Sequence, residues 1–267
     1  MNQPAPGELV LDHVSHFVPD LEAAAGLLER LGFAVTPTSK QMTDGRPVGA
    51  SNRCVMLEQG YIEILTPTHD TPVARQMRAR MDQFVGVHLA CFGTPDAECE
   101  HARLAAHGFA PQPLVHLRRG ALRFKVVRPA PDTMPEGRIQ YVQHLTPQAL
   151  WTPRNLAHDN GVTGLQAVFV VADDPAQTAV RWARFSALLP RREGDAVMLE
   201  AARGRVVIAS QFIQAPPARP ALAGYALACR HPQAFIKRCA REGLAVRATG
   251  AGYAISLPAS LGGVWLV

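Results

Sequence analysis

The chain has 267 residues, of which 48% are hydrophobic and 18% are charged, and its formal net charge is +5. A chain this apolar can bury a core, which excludes wholesale disorder, and its length allows one or two domains. The sequence has no apolar run of roughly 18 residues and no signal-peptide pattern near its N-terminus, so we expect a cytoplasmic protein without a membrane partner.

Charge and cysteine content narrow the class of protein further. The 27 basic residues comprise 24 arginines and three lysines, scattered without the interleaved aromatic residues of a single-strand binder, so we expect no nucleic-acid partner. A solvated basic surface explains most of this charge, and an anionic small-molecule substrate is the alternative. Five cysteines without a C-x-x-C pair argue against a disulfide framework or a zinc ribbon and predict reduced core residues.

The first predicted unit is a strand, a helix and further short strands. Residues 9–18 form the first strand, and Asp20 is a suitable N-cap for the helix that follows. Apolar residues in that helix recur at i, i+3, i+4 and i+7 before Gly32 ends it. Residues 53–58 and 61–65 follow as β-like segments on either side of a turn, so the unit is predicted to be β-α-β-β-β.

The same succession returns three more times. A second unit begins at residue 87, with its helix opening at Thr94 and Pro95, and a third begins at residue 165, where Asp174 and Gln177 have the spacing of a capping box. A fainter fourth unit begins at Tyr225. Because one unit cannot close a sheet over its own helix, we expect the units to pair. We therefore predict an α+β fold with two domains, residues 1–147 and 160–267, separated by a polar linker at residues 146–161.

Short motifs at matching places in the units carry a family resemblance. They are Leu11-Asp12-His13-Val14, Pro19-Asp20, Gly32-Phe33, Tyr61-Ile62-Glu63-Ile64-Leu65 and, in the second unit, Ile139-Gln140-Tyr141 with His144-Leu145-Thr146-Pro147 and Trp151. Together they resemble the vicinal oxygen chelate superfamily, which includes glyoxalase I, extradiol dioxygenases and bleomycin-resistance proteins, and in particular its glyoxalase-like branch. The resemblance implies two domains with curved mixed sheets, each formed by a pair of β-α-β-β-β units.

The resemblance also implies a metal site, with one ligand on the first strand and one on the last strand of each paired unit. The matching positions are His13 and Glu63 in the first unit and His88 and Gln143 in the second, where Gln143 follows from aligning the two Leu-Thr-Pro segments. These donors suit one divalent metal, Zn, Ni, Co, Mn or Fe, which would polarise a carbonyl while Glu63 acts as general base. The alternative is that the histidines are hydrogen-bonded core residues.

Alternation along strands predicts which neighbours share the cavity with these ligands. Tyr61 shares a face with Glu63, and Tyr141 with Gln143, whereas His144 faces away. The expected substrate-binding residues are Asn52, Arg53, Arg123, Tyr141 and Trp151. A turn before a strand, a solvated edge strand and a domain junction are alternative explanations for Asn52 with Arg53, for Arg123 and for Trp151.

The last two units lack the ligand set, and three functions stay open. Gln166, Val206 or Val207, and Ala226 stand at the matching positions, so we expect the second domain to buttress the site or to mediate a homodimer. The first function is a metal-dependent lyase, isomerase or hydrolase acting on a small oxygen-rich substrate. The second is an extradiol-type dioxygenase, because two histidines and a carboxylate also compose that ligand set. The third is a non-catalytic, resistance-type protein that binds a small molecule.

Overall fold

The structure, a computed structural model, describes residues 3–43, 45–214, 216 and 218–267. Its elements fall into two mixed sheets of eight strands each. The first half contains β1 (Val10–Phe17), α1 (Leu21–Arg30), β2 (Ser39–Thr43), β3 (Arg46–Met56), β4 (Tyr61–Pro67), α2 (Pro72–Met81), β5 (Gly86–Gly93), α3 (Ala97–Ala106), β6 (Val115–Arg119), β7 (Leu122–Val127) and β8 (Arg138–His144). The second half contains β9 (Val162–Val171), α4 (Pro175–Ser186), β10 (Pro190–Glu193), β11 (Ala196–Glu200), β12 (Arg205–Ala209), β13 (Ala221–Cys229), α5 (Pro232–Arg241), β14 (Ala245–Thr249), β15 (Gly252–Ser256) and β16 (Val264–Leu266).

The strand order confirms the predicted α+β fold of four paired β-α-β-β-β units. The first sheet has the order β2-β3-β4-β1-β5-β8-β7-β6, and the second repeats it as β10-β11-β12-β9-β13-β16-β15-β14. In each sheet two units meet through an antiparallel pair, β1 with β5 and β9 with β13, while the first and last strands of the units run parallel. Two units thereby complete one sheet.

Local capping places the helices close to the predicted positions. The Asp20 side chain accepts hydrogen bonds from two backbone N–H groups at the start of α1, and the Asp174 side chain accepts one, from Gln177, at the start of α4. The third helix differs, because α3 begins at Ala97 with Asp96 as its N-cap, two residues after the predicted start. Thr94 instead uses its hydroxyl oxygen to accept the backbone N–H of Asp96.

Two faces of the first sheet have different surroundings. One side packs with the helices and with the second sheet into a core that runs through both halves. We call the other side the inner face; its apolar residues include Phe17, Leu65, Leu89 and Val142, and α2 packs on them through Met77. The sheet curls so that its edge strands β2 and β6 contact each other, which makes the inner face concave.

The two halves are joined through the centre of each sheet. The backbone N–H of Leu11 donates to the carbonyl of Arg203 across the junction. His16 also links the halves, since its Nδ1–H donates to the Leu261 carbonyl at 2.9 Å and its Nε2 accepts from the Tyr225 hydroxyl at 3.0 Å. Burial lowers the pKa of His16 to about 4, so this imidazole is neutral at physiological pH. No helix in the described part of the chain has the length and apolarity needed to cross a membrane.

Candidate functional site

A group of three buried donors lies on the first sheet. Asp12, His13 and Cys91 each offer a ligand atom within 4.8 Å of the others, and the described residues contain no other such group of histidine, cysteine and acidic side chains. His13 stands opposite Cys91 in the β1–β5 register, and a β-bulge between Leu11 and His13 leaves Asp12 as an extra residue. The bulge allows the side chains of two consecutive residues to meet.

Asp12 connects two imidazoles. Its Oδ1 lies 2.6 Å from His13 Nδ1, and its Oδ2 lies 3.1 Å from Nε2 of His144. Burial opposes ionisation of Asp12, but the attraction of His144 and the hydrogen bonds from both rings outweigh it and hold the pKa of Asp12 well below its usual range. A carboxylate can only accept, so each ring donates one N–H and keeps its other nitrogen for a different partner.

Aromatic rings enclose the two histidines. The ring of Tyr61 stacks on His13 with a centroid distance of 4.3 Å, and Trp151 stands edge-on to His144 at 5.0 Å. The Trp151 indole N–H donates to the Leu57 carbonyl, which fixes the ring. Trp151 therefore lies beside the donor group, while its contact with a substrate stays a prediction.

Glu63 lies on the face of the sheet that also carries His13, two residues beyond Tyr61 on β4. It stands opposite Ser15, whose hydroxyl donates to Oε2 at 2.5 Å, and the Asn52 amide donates to Oε1 at 2.5 Å. The other amide atom of Asn52, Oδ1, is buried without a hydrogen-bond partner among the described residues. Asn52 thus reaches the predicted cavity and holds Glu63, and its free oxygen is available to a ligand.

His88 lies away from this group. Its Nε2–H donates to the Phe84 carbonyl at 2.7 Å, and its ring packs against Phe17 and Phe84. Burial lowers the pKa of His88 to about 4, so the ring is neutral. This environment is that of the hydrogen-bonded core histidine that the sequence left as an alternative.

The predicted facing of β8 is wrong by one residue. The Gln143 amide accepts from the backbone N–H of Ala97 at 3.2 Å and donates to the carbonyl of Pro95 at 2.5 Å, so it binds the start of α3. Tyr141 also faces the helices, where its hydroxyl donates to the Phe185 carbonyl. His144, expected to face away, is the residue that reaches the donor group.

The error comes from aligning the two Leu-Thr-Pro segments. Residues 65–67 still belong to β4, whereas residues 145–147 follow the end of β8, so the segments are not structurally equivalent. The strand registers make Gln140 the counterpart of Glu63, because Gln140 stands opposite Cys91 as Glu63 stands opposite Ser15. Aligning Gly60 with Gly137 would have found Gln140 from the sequence alone.

The two predicted substrate-binding arginines do not face the cavity. Arg53 pairs with Glu22 at 2.8 Å and with Glu29 at 2.6 Å, both on α1. Arg123 is exposed on β7, where alternation directs it away from the inner-face residues Phe124 and Val126. These two expectations were wrong because a shift of one residue along a strand moves a side chain to the opposite face of the sheet. The sequence offers no marker for that shift.

The second sheet carries apolar residues at the corresponding places. Ala167 stands opposite Arg205, as His13 stands opposite Tyr61, and Val207 occupies the place of Glu63. The position predicted for Gln166 is thus one residue off, and the prediction for Val207 fits the register. Ala167 and Val207 belong to an apolar cluster.

The donors in the first sheet fit a divalent metal ion. A carboxylate, an imidazole and a thiol converge there, with the His144 imidazole beside the carboxylate, and these are ligand types used by zinc and other transition metals. Burial raises the pKa of the Cys91 thiol well above its usual range, so Cys91 stays protonated unless a cation stabilises its thiolate.

A known protein family matches more than half of this chain. The family model described as glyoxalase-like domain matches residues 11–186, from β1 to the end of α4. The chain belongs to the glyoxalase-like domain family. No curated protein matches it.

Solved structures share the glyoxalase-like fold over nearly the whole chain. A hypothetical protein from Staphylococcus aureus is 12% identical with a TM-score of 0.65, covering 96% of this chain and 97% of its own. A mutant 4-hydroxymandelate synthase from Streptomyces coelicolor is 15% identical with a TM-score of 0.59, covering 98% and 92%. The Mn(II)-bound glyoxalase from Novosphingobium aromaticivorans is 10% identical with a TM-score of 0.59, covering 96% and 81%. The matched family model, together with this shared fold, supports membership of the vicinal oxygen chelate superfamily.

Proposed function

We propose that this glyoxalase-like protein is a metal-dependent enzyme of the lyase, isomerase or hydrolase type that acts on a small oxygen-rich substrate. The observation that carries the proposal is the buried donor group of Asp12, His13 and Cys91 with His144 beside it. A related fold in a solved structure is described as a Mn(II)-bound glyoxalase, which supports a metal-dependent reaction. A bound divalent ion would supply Lewis-acid polarisation of a substrate oxygen.

The proposed ligands are Asp12, His13, Cys91 and His144. Asp12 fixes both imidazoles through its hydrogen bonds, and such orientation by a carboxylate is common around metal-binding histidines. His13 donates Nδ1–H to Asp12, which leaves Nε2 with a lone pair. The Tyr61 ring stacks on His13 and limits the rotation of the imidazole.

Glu63 is the proposed general base. Both of its oxygens accept hydrogen bonds, from Ser15 and Asn52, so the carboxylate is already oriented without a metal. It lies on the face that carries His13, and on β4 it is the inward-facing residue after Tyr61, which stands opposite His13. A proton taken from a substrate carbon or water would therefore pass to a fixed carboxylate oxygen.

Metal content of purified variants tests this proposal. We expect about one equivalent of divalent metal in the wild-type protein, and a background level in a folded His13→Ala variant. His88→Ala is the matched control, because His88 also lies on the first sheet but outside the donor group, and it should retain the metal. A His88→Ala variant that loses the metal while His13→Ala keeps it would contradict the proposed ligand set.

An extradiol-type dioxygenase is the second candidate function. His13, His144 and Asp12 are two imidazoles and one carboxylate, the ligand set of many non-haem Fe(II) oxygenases. Iron as the resident metal, with oxygen consumption on an aromatic diol, would favour this candidate. A different metal without oxygen consumption would favour the first.

A further inference from the structure

A cavity of about 610 Å³ opens between α2 and the segment from residue 128 to residue 139. Its charged lining consists of three arginines, Arg80, Arg128 and Arg138, and one acid, Asp132. Three positive charges and one negative charge give the lining a net charge of +2. All of the lining residues belong to the described part of the chain.

Within the described part of the chain, none of the three arginines has an ion-pair partner. Among the described residues, no carboxylate oxygen lies within 4.0 Å of their guanidinium nitrogens, and the nearby Glu136 is already paired with Arg181 of α4. Arg138 lies over the Phe17 ring at 5.7 Å, and Arg128 donates from Nε to the Gln140 amide oxygen at 3.3 Å. Most of their N–H donors therefore remain available to a ligand.

Holding these charges together is unfavourable, and the attraction of Asp132 and Glu136 for Arg80 and of Glu63 for Arg138 offsets the cost only in part. Burial, together with repulsion from Arg128 and Arg80, lowers the pKa of Arg138 to about 9. Burial also lowers the pKa values of Arg128 and Arg80. An oxyanion among the three guanidinium groups would relieve this repulsion and accept charge-assisted hydrogen bonds from them.

One residue, Gln140, separates the cavity lining from the candidate metal centre. Arg128 donates to Gln140, and Gln140 stands opposite Cys91, a member of the donor group. Arg138 begins β8 on the side where Phe17 ends β1, so the cavity and the donor group share the inner face. A ligand whose anionic end lies between the arginines would extend along this face.

We propose that the cavity binds a dianionic small molecule through a carboxylate or phosphate group held by Arg80, Arg128 and Arg138. This inference rests on the proposed function in one respect: the molecule is the substrate, and its oxygen-rich remainder reaches the donor group of Asp12, His13 and Cys91. The anionic substrate that the basic composition left open thus has a defined place in the fold.

Anion titration of the purified protein tests the proposal. Inorganic phosphate and succinate are titrated separately by calorimetry, with chloride at matched ionic strength as the reference. We expect at least one of the two dianions to bind, and Arg128→Gln and Arg138→Gln to weaken that binding at least tenfold. Phosphate alone binding identifies a phosphate group, and succinate alone a carboxylate.

Controls separate this proposal from the metal site. Arg123→Gln removes an exposed arginine from the same sheet and should bind the anion like the wild type. His13→Ala should lose the metal but keep anion binding, whereas Arg138→Gln should keep the metal but lose anion binding.

Arg138→Lys keeps the charge and replaces the glutamine variant if that variant fails to fold. We expect Arg138→Lys to retain part of the anion binding. The proposal would be overturned if both dianions failed to bind more tightly than chloride. It would also be overturned if the arginine variants bound the dianion as tightly as the wild type.

Discussion

Asp12 is the residue on which the candidate site depends most. Its carboxylate is buried, stays ionised and holds one nitrogen of His13 and one of His144. A buried charge is stable only while its partners remain, so the three side chains form one unit. Removing the charge should therefore affect both the orientation of the imidazoles and the affinity for a cation.

We predict that Asp12→Asn weakens metal binding by at least about tenfold to one-hundredfold, because the substitution removes a charged ligand and also disturbs the orientation of two others. The amide keeps the shape of the side chain but offers one acceptor instead of two, so one imidazole loses its partner. The free energy of unfolding should fall by about 1–3 kcal/mol. Chelator competition and urea denaturation measure the two effects, and unchanged metal affinity would show that Asp12 does not organise the site.

At the scale of elements, regular patterns predict the fold better than the site. The caps at Asp20 and Asp174 and the repeat of strand and helix are sufficient to predict four units. The side of a strand on which a residue lies depends on single-residue shifts. The β-bulge at Asp12 and the end of β8 before its Leu-Thr-Pro segment are not visible in the alternation of apolar residues. Such shifts explain why His13 and Glu63 were found but Gln140 was not.

Helix α2 is the element that the sequence pattern did not predict. Its start carries ordinary signals, because Thr71 caps it through its hydroxyl oxygen and Pro72 occupies the first turn. However, only Ala74 and Met77 of its residues are buried, and four of the other eight are arginine or glutamine. An apolar stripe this narrow does not stand out in sequence, although it is enough to cover the inner face.

Met77→Ala should lower the free energy of unfolding by about 2–4 kcal/mol, because Met77 is 1% exposed and its removal leaves a void against the inner-face core. Arg75→Ala on the exposed side of the same helix is the control and should change stability by about 0.5 kcal/mol or less. Urea denaturation measures both. Equal small effects would mean that α2 does not pack firmly on the sheet.

At the scale of the whole molecule, the two halves share a core and a buried polar contact. His16 of β1 contacts Leu261 and Tyr225 of the second half, so its neutral ring belongs to the junction. A charged imidazole there would have no acidic partner within 4.0 Å among the described residues. The junction is therefore most stable at neutral or alkaline pH, where the His16 ring is uncharged.

This contact predicts a pH dependence of stability. The pKa of His16 is about 4 in the folded chain and about 6.5 in the unfolded chain, so the unfolded state binds more protons and stability falls as the pH drops from 6.5 to 4. The loss from His16 is on the order of 3 kcal/mol, and His88 adds a similar term. In His16→Gln this slope should become shallower, whereas exposed His107→Gln should leave it unchanged. A His16→Gln slope equal to the wild-type slope would contradict the prediction.

We propose that the metal binds on the inner face of the first sheet, where His144 and not Gln143 meets Asp12. Elemental analysis of folded His144→Ala and Gln143→Ala variants tests it most directly, since these adjacent residues lie on opposite faces of β8. We expect about one equivalent of metal in the wild type and in Gln143→Ala, and a background level in His144→Ala. Metal lost from Gln143→Ala and retained in His144→Ala would contradict it.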